Sequence, residues 1–183
     1  MPIDYNKPGV DDNDLRGQLP SELQVVSALR VLSLFSNQLT GTIPWELASL
    51  RLLHTLDLES NRFTGELPQS IFTLPLLKSL NLSFNKDLTG SLPQKTFLQA
   101  RSLERLNLVN CDLTGTIPNQ IGRVESLQVM SLGLNRLNGT LPSELSRLHE
   151  MSVLDLSCNQ LSGTIPEGIS KLRKIGKWEK HEL

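Results

Sequence analysis

The sequence predicts an α/β repeat solenoid, in which short parallel strands alternate with short 3-10 or helical turns. A segment of the form Leu/Phe-x-Gly-x-Leu/Ile-Pro recurs seven times, and successive prolines are 24 or 25 residues apart. A segment close to Leu-x-Leu-x-x-Asn comes before each of the six later copies, and apolar residues at a spacing of three follow most of the prolines. A period of two is typical of a strand, and a spacing of three is typical of a 3-10 turn. The seven prolines are Pro20, Pro44, Pro68, Pro93, Pro118, Pro142 and Pro166.

The strand segments each carry one polar residue that we expect to turn inward. Asn37, Asn61, Asn85, Asn135 and Asn159 occupy this position, and Cys111 replaces the asparagine in one copy. A buried amide is tolerated only when its donors and acceptor are bonded. We therefore expect each asparagine to bond the backbone of its own loop and of the neighbouring coil.

The turn segments begin at the prolines. Leu47, Leu50 and Leu53 show the spacing of three, and a proline suits the start of such a turn because its missing N–H is not needed there. Two single-residue insertions explain the 25-residue spacings, one within 85–88 and one between Pro93 and Leu106. Because one repeat cannot bury its own leucines, the copies must stack, and seven copies give a body roughly 35 Å long.

These motifs resemble the plant-type leucine-rich repeat, L-x-x-L-x-L-x-x-N-x-L-x-G-x-I-P, from about Tyr5 to Trp178. The resemblance implies a right-handed coil with a parallel β-sheet on its concave face and the turns on its convex face. It also implies a second sheet formed by the Thr-Gly-Thr-Ile segments. We expect one domain over 1–183 with seven repeats, no cysteine-paired N-terminal cap, and a C-terminal tail at 176–183.

Composition and isolated functional groups argue against several classes of protein. The net charge of −1 does not suit a basic nucleic-acid binder, and no apolar run reaches the length of a membrane span. His54, His149 and His181 are isolated from each other and from the cysteines, and no phosphate-binding glycine loop is visible. We therefore expect no catalysis, no cofactor and no metal. Cys111 and Cys158 lie too far apart along the stack for a disulfide and are expected to be packed thiols.

The candidate binding surface is the concave face, set by the residues that flank the strand leucines. A rigid sheet can present these side chains without an ordering cost. The alternative is that any one of them is only part of a solvated sheet face. The predicted partner-binding residues are Phe35, Asp57, Glu59, Arg105, Asn107 and Asp155.

Three further features of the sequence have weaker functional interpretations. Asn81 and Asn138 begin Asn-x-Ser/Thr sequons and are candidate glycosylation sites, although short sequons arise by chance. The final residues Lys180, His181, Glu182 and Leu183 resemble a retrieval signal, which we interpret as a chance match. Trp45 follows a proline on the turn side and is expected to pack on its turn, with a surface anchor as the alternative.

The predicted function is non-catalytic recognition of a protein or peptide, and the family resemblance implies a receptor-like role in signalling. A co-receptor or a target enzyme are the partners this implies. The alternative is an inhibitor of a secreted enzyme, as in polygalacturonase-inhibiting proteins of similar repeat type. The resemblance implies an extracellular or membrane-associated protein, whereas a chain that starts at Met1 without a visible signal peptide would stay in the cytoplasm.

Overall fold

The structure is a computed structural model that describes residues 13–172 and 174–179. Within this part, fourteen three- to five-residue strands alternate with seven 3-10 turns. The strands are β1 Arg16–Gln18, β2 Val31–Ser33, β3 Gln38–Thr42, β4 Thr55–Asp57, β5 Arg62–Glu66, β6 Ser79–Asn81, β7 Asp87–Ser91, β8 Arg105–Asn107, β9 Asp112–Thr116, β10 Val129–Ser131, β11 Arg136–Thr140, β12 Val153–Asp155, β13 Gln160–Ser162 and β14 Lys177–Glu179. The turns are η1 Ser21–Val25, η2 Trp45–Ser49, η3 Gln69–Thr73, η4 Thr96–Leu98, η5 Asn119–Arg123, η6 Ser143–Arg147 and η7 Glu167–Lys171.

The strands form two parallel sheets of seven strands each. The first sheet has the order β14-β12-β10-β8-β6-β4-β2, and the second has the order β1-β3-β5-β7-β9-β11-β13. In the first sheet equivalent residues pair directly, so that Leu56 lies opposite Leu80. In the second sheet the strands are staggered by two residues, so that Thr42 lies opposite Thr64. The predicted solenoid and the second sheet implied by the family resemblance are both confirmed.

The core is one continuous apolar column between the two sheets and the turns. The inward strand leucines, such as Leu56, Leu58 and Leu80, are fully buried. Phe72 and Phe97 from neighbouring turns meet edge to face with ring centroids 5.1 Å apart. Each coil therefore shields the apolar side chains of the next, which is how repeats stabilise one another.

The inward asparagines bond as the sequence predicts. Asn61 Nδ2 donates to the carbonyl oxygens of Leu34 (2.9 Å) and Leu58 (3.1 Å), and its Oδ1 accepts from the backbone N–H of Leu39 (3.0 Å). The same pattern links the other strand loops across successive coils. The asparagines thus fasten each loop to the preceding coil.

Cys111 forms only some of the hydrogen bonds that the asparagines form at this position. Its Sγ donates to the carbonyl oxygen of Leu82 at 3.4 Å. A thiol is a poor acceptor, and the backbone N–H of Leu88 bonds instead to the carbonyl oxygen of Asn85 at 2.9 Å. The insertion within 85–88 lies in this loop, so the lost cross-coil bond is replaced by a bond within one coil.

A glycine at one position of each second-sheet repeat has a positive φ, between 77° and 102°. Gly65 shows why this position also needs a small side chain. A Cβ added there would lie 2.8 Å from the methyl carbon of Thr42 on the preceding coil. The φ and the close approach both favour glycine at this position.

The C-terminal boundary of the repeat array differs from the prediction. Residues 177–179, which the sequence analysis placed in the tail, form β14 and pair in parallel with β12. They occupy the repeat phase of 153–155, and this phase places their backbone beside β12. Residues 180–183 of the retrieval-like motif lie outside the described part of the chain, as does Tyr5, near which the family resemblance begins.

Candidate recognition surface

The outward face of the first sheet is the surface that the sequence analysis assigns to the concave side. Three polar residues at the last position of a strand fold back onto their own backbone. Asp57 Oδ1 accepts from the N–H of Glu59 at 3.1 Å, and Asn81 Oδ1 accepts from the N–H of Ser83 at 3.2 Å. Asp155 Oδ1 accepts from both the N–H (3.0 Å) and the hydroxyl (2.7 Å) of Ser157. These side chains therefore rigidify the loop that follows each strand.

Asp57 is a correction to the predicted surface. Its side chain is only 8% exposed, because it lies against the loop that it caps. Burial raises the pKa of the Asp57 carboxyl above its ordinary value, and the nearby charge of Glu59 raises it further, although the hydrogen bond from the Glu59 backbone opposes this. Asp57 is a structural residue of the loop rather than an exposed contact for a partner.

Glu59 is half-buried and links two coils. Its Oε2 accepts from Asn81 Nδ2 at 2.5 Å. Asn81 is 5% exposed, so the amide nitrogen that would carry a glycan is already bonded and closed off. Glycosylation of Asn81 stays a prediction, and the burial of its amide in the folded chain disfavours it. Asn138 is exposed on β11 and stays a candidate.

Arg105 and Asn107 lie at the two ends of β8, in the middle of the sheet. Arg105 is exposed. Asn107 departs from the loop-capping pattern, because the N–H of Val109 donates to the hydroxyl oxygen of Ser83 at 3.1 Å instead. Within the described residues, Asn107 Oδ1 is buried without a hydrogen-bond partner. Phe35 is half-buried rather than fully exposed, and Asp155 is half-buried.

The sequence analysis missed a row of residues just beyond this surface. We call the inward asparagines, together with Cys111 at the same repeat position, the ladder. The residue before each ladder position has a positive φ although it is not glycine. These residues are Ser36, Ser60, Phe84, Asn110, Leu134 and Cys158. Two of these six are large and apolar, with Phe84 46% exposed and Leu134 48% exposed. The signal that could have found them is their position immediately before the ladder asparagine, where a large apolar residue cannot enter the core.

Two other expectations were wrong. Both cysteines are free, as predicted, but only Cys111 is packed, and Cys158 is exposed. Burial raises the pKa of the Cys111 thiol to about 12, so it stays protonated and unreactive at neutral pH. Trp45 does not pack on its turn, because its side chain is 67% exposed at the start of η2.

Neither a metal cluster nor a membrane-spanning helix occurs in the part of the chain that the structure describes. Across 13–172 and 174–179, no three His, Cys, Asp or Glu side chains are placed to hold a metal ion. No helix in the same residues is long and apolar enough to cross a bilayer. What remains is a rigid stack of coils with one broad, outward-facing parallel sheet, the scaffold of a repeat solenoid.

Comparison with known proteins identifies the family. The profile described as "Leucine rich repeat" matches residues 51–113, and a second profile of the same description matches 28–50, 126–148 and 150–172. Together these matches span well over half of the chain. The chain belongs to the leucine-rich repeat family, and its resemblance to the plant-type members is confirmed by the structures described next.

Three solved structures show this likeness. The plant peptide hormone receptor RGFR1 in complex with RGF2 is 32% identical with a TM-score of 0.86, over 89% of this chain and 26% of that chain. The second is the ectodomain of the Arabidopsis receptor kinase HAESA in complex with an N-terminally extended IDA peptide hormone. It is 34% identical with a TM-score of 0.81, and the match covers 92% of this chain and 28% of that chain. The third is HAESA in complex with IDA and the co-receptor SERK1. It is 33% identical with a TM-score of 0.68, and the match covers 84% of this chain and 29% of that chain. No curated protein sequence matches the chain. The chain thus spans about a quarter of the length of these receptor structures.

Proposed function

We propose that this chain is a non-catalytic recognition module that binds an extended peptide or another protein on the outward face of its first sheet. The observation that carries this proposal is the rigidity of that face. The loop after each of three strands is capped by the strand's own last residue, and the asparagines fasten the loops to the preceding coils. A preorganised surface binds without a large ordering cost.

The related structures support a receptor-like role over the inhibitor alternative. RGFR1 and HAESA were each solved with a peptide hormone, and HAESA also with a co-receptor. The likeness at 32–34% identity extends over most of this chain. None of the observations on the site favours an enzyme inhibitor. We therefore propose signalling through a peptide or protein ligand, with a co-receptor as a further partner.

The absence of catalysis is part of the same proposal. An acid and base pair would need a cleft and two accessible carboxyl groups. Asp57 and Glu59 form the pair of carboxylates closest in sequence on this face, and Asp57 is buried in its own hydrogen bond. The pair is better explained by loop capping than by chemistry on a substrate.

Selection of peptides from a random display library against the immobilised chain tests this function. We expect bound sequences whose affinity falls about tenfold or more when Ser131, in the middle of the first sheet, is replaced by arginine. Thr116→Arg is the matched control, because Thr116 is exposed on the second sheet. Failure to select any peptide, or equal losses in both variants, would overturn the proposal.

A further inference from the structure

Trp45 is an exposed aromatic residue at a repeat position that is polar in every other copy. It directly follows the proline that starts its turn, and its side chain is 67% exposed. The equivalent residues of the six other copies are Ser21, Gln69, Gln94, Asn119, Ser143 and Glu167. Six copies form their turns without an aromatic residue here, so the fold does not require one. Tryptophan is also among the residues that most often dominate binding interfaces.

Glu66 is a second exception to the repeat. It is the exposed last residue of β5 and, among the seven copies, the only charged residue at its position. The equivalent residues of the other copies are Gln18, Thr42, Ser91, Thr116, Thr140 and Thr164. The second sheet is therefore built without a carboxyl group at this position in six copies out of seven.

The two exceptions lie in one groove, where the second sheet meets the turns. β5 is displaced by two residues relative to β3, so Glu66 at its end lies level with the proline before Trp45. The groove has a volume of about 590 Å³. Its lining includes Trp45, Glu46 and Glu66 and the turn-starting prolines of three successive coils, Pro20, Pro44 and Pro68. We call it the Trp45 groove.

The Trp45 groove carries negative charge. Across 13–172 and 174–179, the carboxylates of Glu46 and Glu66 have no hydrogen-bond or ion-pair partner. No lysine, arginine or histidine of the same residues lines the groove. Glu22 adds a further carboxylate on the preceding turn, η1. The groove is thus an aromatic surface among carboxylates that lack a cation.

Basic residues on the same strands and turns lie farther away or are already paired. Arg62 begins β5, about 13 Å along the strand from Glu66. Arg51 follows η2 at the end opposite its start, and Lys95 lies two coils further on, before η4. Arg16 already pairs with a carboxylate at 2.9 Å. These side chains therefore leave the charge of the groove in place.

This combination of groups selects an arginine side chain. Cations bind over the face of an aromatic ring, and tryptophan binds them best. A guanidinium group is planar, so it stacks on the ring while its N–H groups donate to carboxylates at its edge. The methylene stem of arginine packs on apolar surface, which the prolines of the groove supply. A lysine ammonium group is compact and cannot stack in this way.

We propose that the Trp45 groove binds an arginine side chain of another protein. The guanidinium group lies over the indole of Trp45 and pairs with Glu46 and Glu66. This is a second interaction surface, because no residue that lines the groove belongs to the first sheet. The chain therefore holds a ligand on the first sheet and a further protein at the Trp45 groove without competition between them.

The test titrates the capped peptide Gly-Arg-Gly into the full chain and follows the indole N–H signal of Trp45 by NMR. Trp45→Gln identifies the signal by its loss, and glutamine already fills this position at Gln69. We expect a saturable shift. The same peptide with citrulline, which keeps the shape of arginine without its charge, should bind about tenfold or more weakly. Equal binding of the two peptides, or no shift with the arginine peptide, would overturn the inference.

A pair of variants tests the carboxylate. Glu66→Thr should weaken binding of the arginine peptide about threefold or more, because one charge partner is lost. Threonine fills the same position at Thr42 and Thr116, so the fold should be kept. Glu125→Thr is the matched control, because Glu125 is exposed but does not line the Trp45 groove. Equal losses in both variants would show only non-specific attraction and would overturn the inference.

A sugar probe tests whether the indole stacks on a carbohydrate instead. Cellotetraose carries no charge and should leave the Trp45 signal unshifted. A saturable shift with cellotetraose that persists in Glu66→Thr would overturn the choice of an arginine ligand. Either failure would leave the proposed function in place, because that function is tested by Ser131→Arg on the first sheet.

Discussion

At the residue scale, residues at the same strand position affect stability differently, because their burial and neighbouring charges differ. Asp57, Asn81 and Asp155 are equivalent in the repeat, and each accepts a hydrogen bond from the backbone two residues later. Only Asp57 places a carboxyl group in a buried site beside another carboxylate, Glu59. A buried charge without a cation is unfavourable, so this residue opposes the stability of the fold at neutral pH.

Replacing Asp57 with asparagine should therefore stabilise the chain at neutral pH. The raised pKa means that the folded state holds the proton more tightly than the unfolded state, so stability is greatest below the ordinary value of 3.8 and falls as the pH rises through the folded pKa. Asn keeps the acceptor for the Glu59 N–H, as Asn81 does for Ser83. Urea denaturation at about pH 7 and about pH 3 measures both free energies of unfolding.

We expect Asp57→Asn to be more stable than the parent at the higher pH and nearly equal to it at the lower. The comparison at low pH serves as the internal control, since the carboxyl group is then protonated. A variant that loses stability at neutral pH would contradict the assignment of Asp57 as a buried, unfavourable charge.

At the element scale, a strand of three residues is too short to be stable alone. The ladder asparagines supply hydrogen-bond partners for backbone groups of the loops that follow the strands. Asn85 is fully buried and donates to three carbonyl oxygens while accepting from the N–H of Phe63. Removal of its side chain leaves those backbone groups buried without partners. Such groups cost more than the net gain of the bonds that they lose.

Asn85→Ala should lower the free energy of unfolding by about 3 kcal/mol. Asn138→Ala is the control, because Asn138 is an exposed asparagine on β11 and its loss should change stability by less than about 0.5 kcal/mol. Chemical denaturation followed by circular dichroism compares the two. Similar stability of both variants would show that the ladder is not a main source of loop stability.

At the scale of the whole molecule, stability depends on how closely neighbouring coils approach. Gly122 in η5 lies against the next turn, and a Cβ there would be 2.5 Å from the backbone carbonyl oxygen of Glu144. The obstacle is backbone, which cannot turn aside as a side chain can. Each such contact couples only adjacent coils, because each repeat of a solenoid contacts only its neighbours.

Gly122→Ala should therefore push η5 and η6 apart and destabilise the chain by about 1–3 kcal/mol, the usual cost of overpacking. Gly176→Ala is the matched control, because nothing lies within 4 Å of the added carbon. Thermal unfolding of the two variants gives the comparison. A Gly122→Ala variant as stable as the control would show that the coils can separate at little cost.

Much of this architecture was readable from the sequence, because a short repeat imposes the same local choice many times. The leucines at a period of two, the prolines at the turn starts and the inward asparagines are each set by contacts within one coil and its neighbour. Asn85 bonds as its position predicts for this reason. The fold follows from this regularity.

The sequence alone could not decide which residues at the outward positions are accessible. The sequence assigned Asp57, Asn81 and Cys158 by their repeat positions. In the structure, Asp57 and Asn81 are buried where they cap their loops, and Cys158 is exposed. The repeat pattern determined the coils, the ladder and the sheets, because these are local. Only the tertiary structure decided the surface, because burial and backbone conformation there depend on how one coil's loop meets the next.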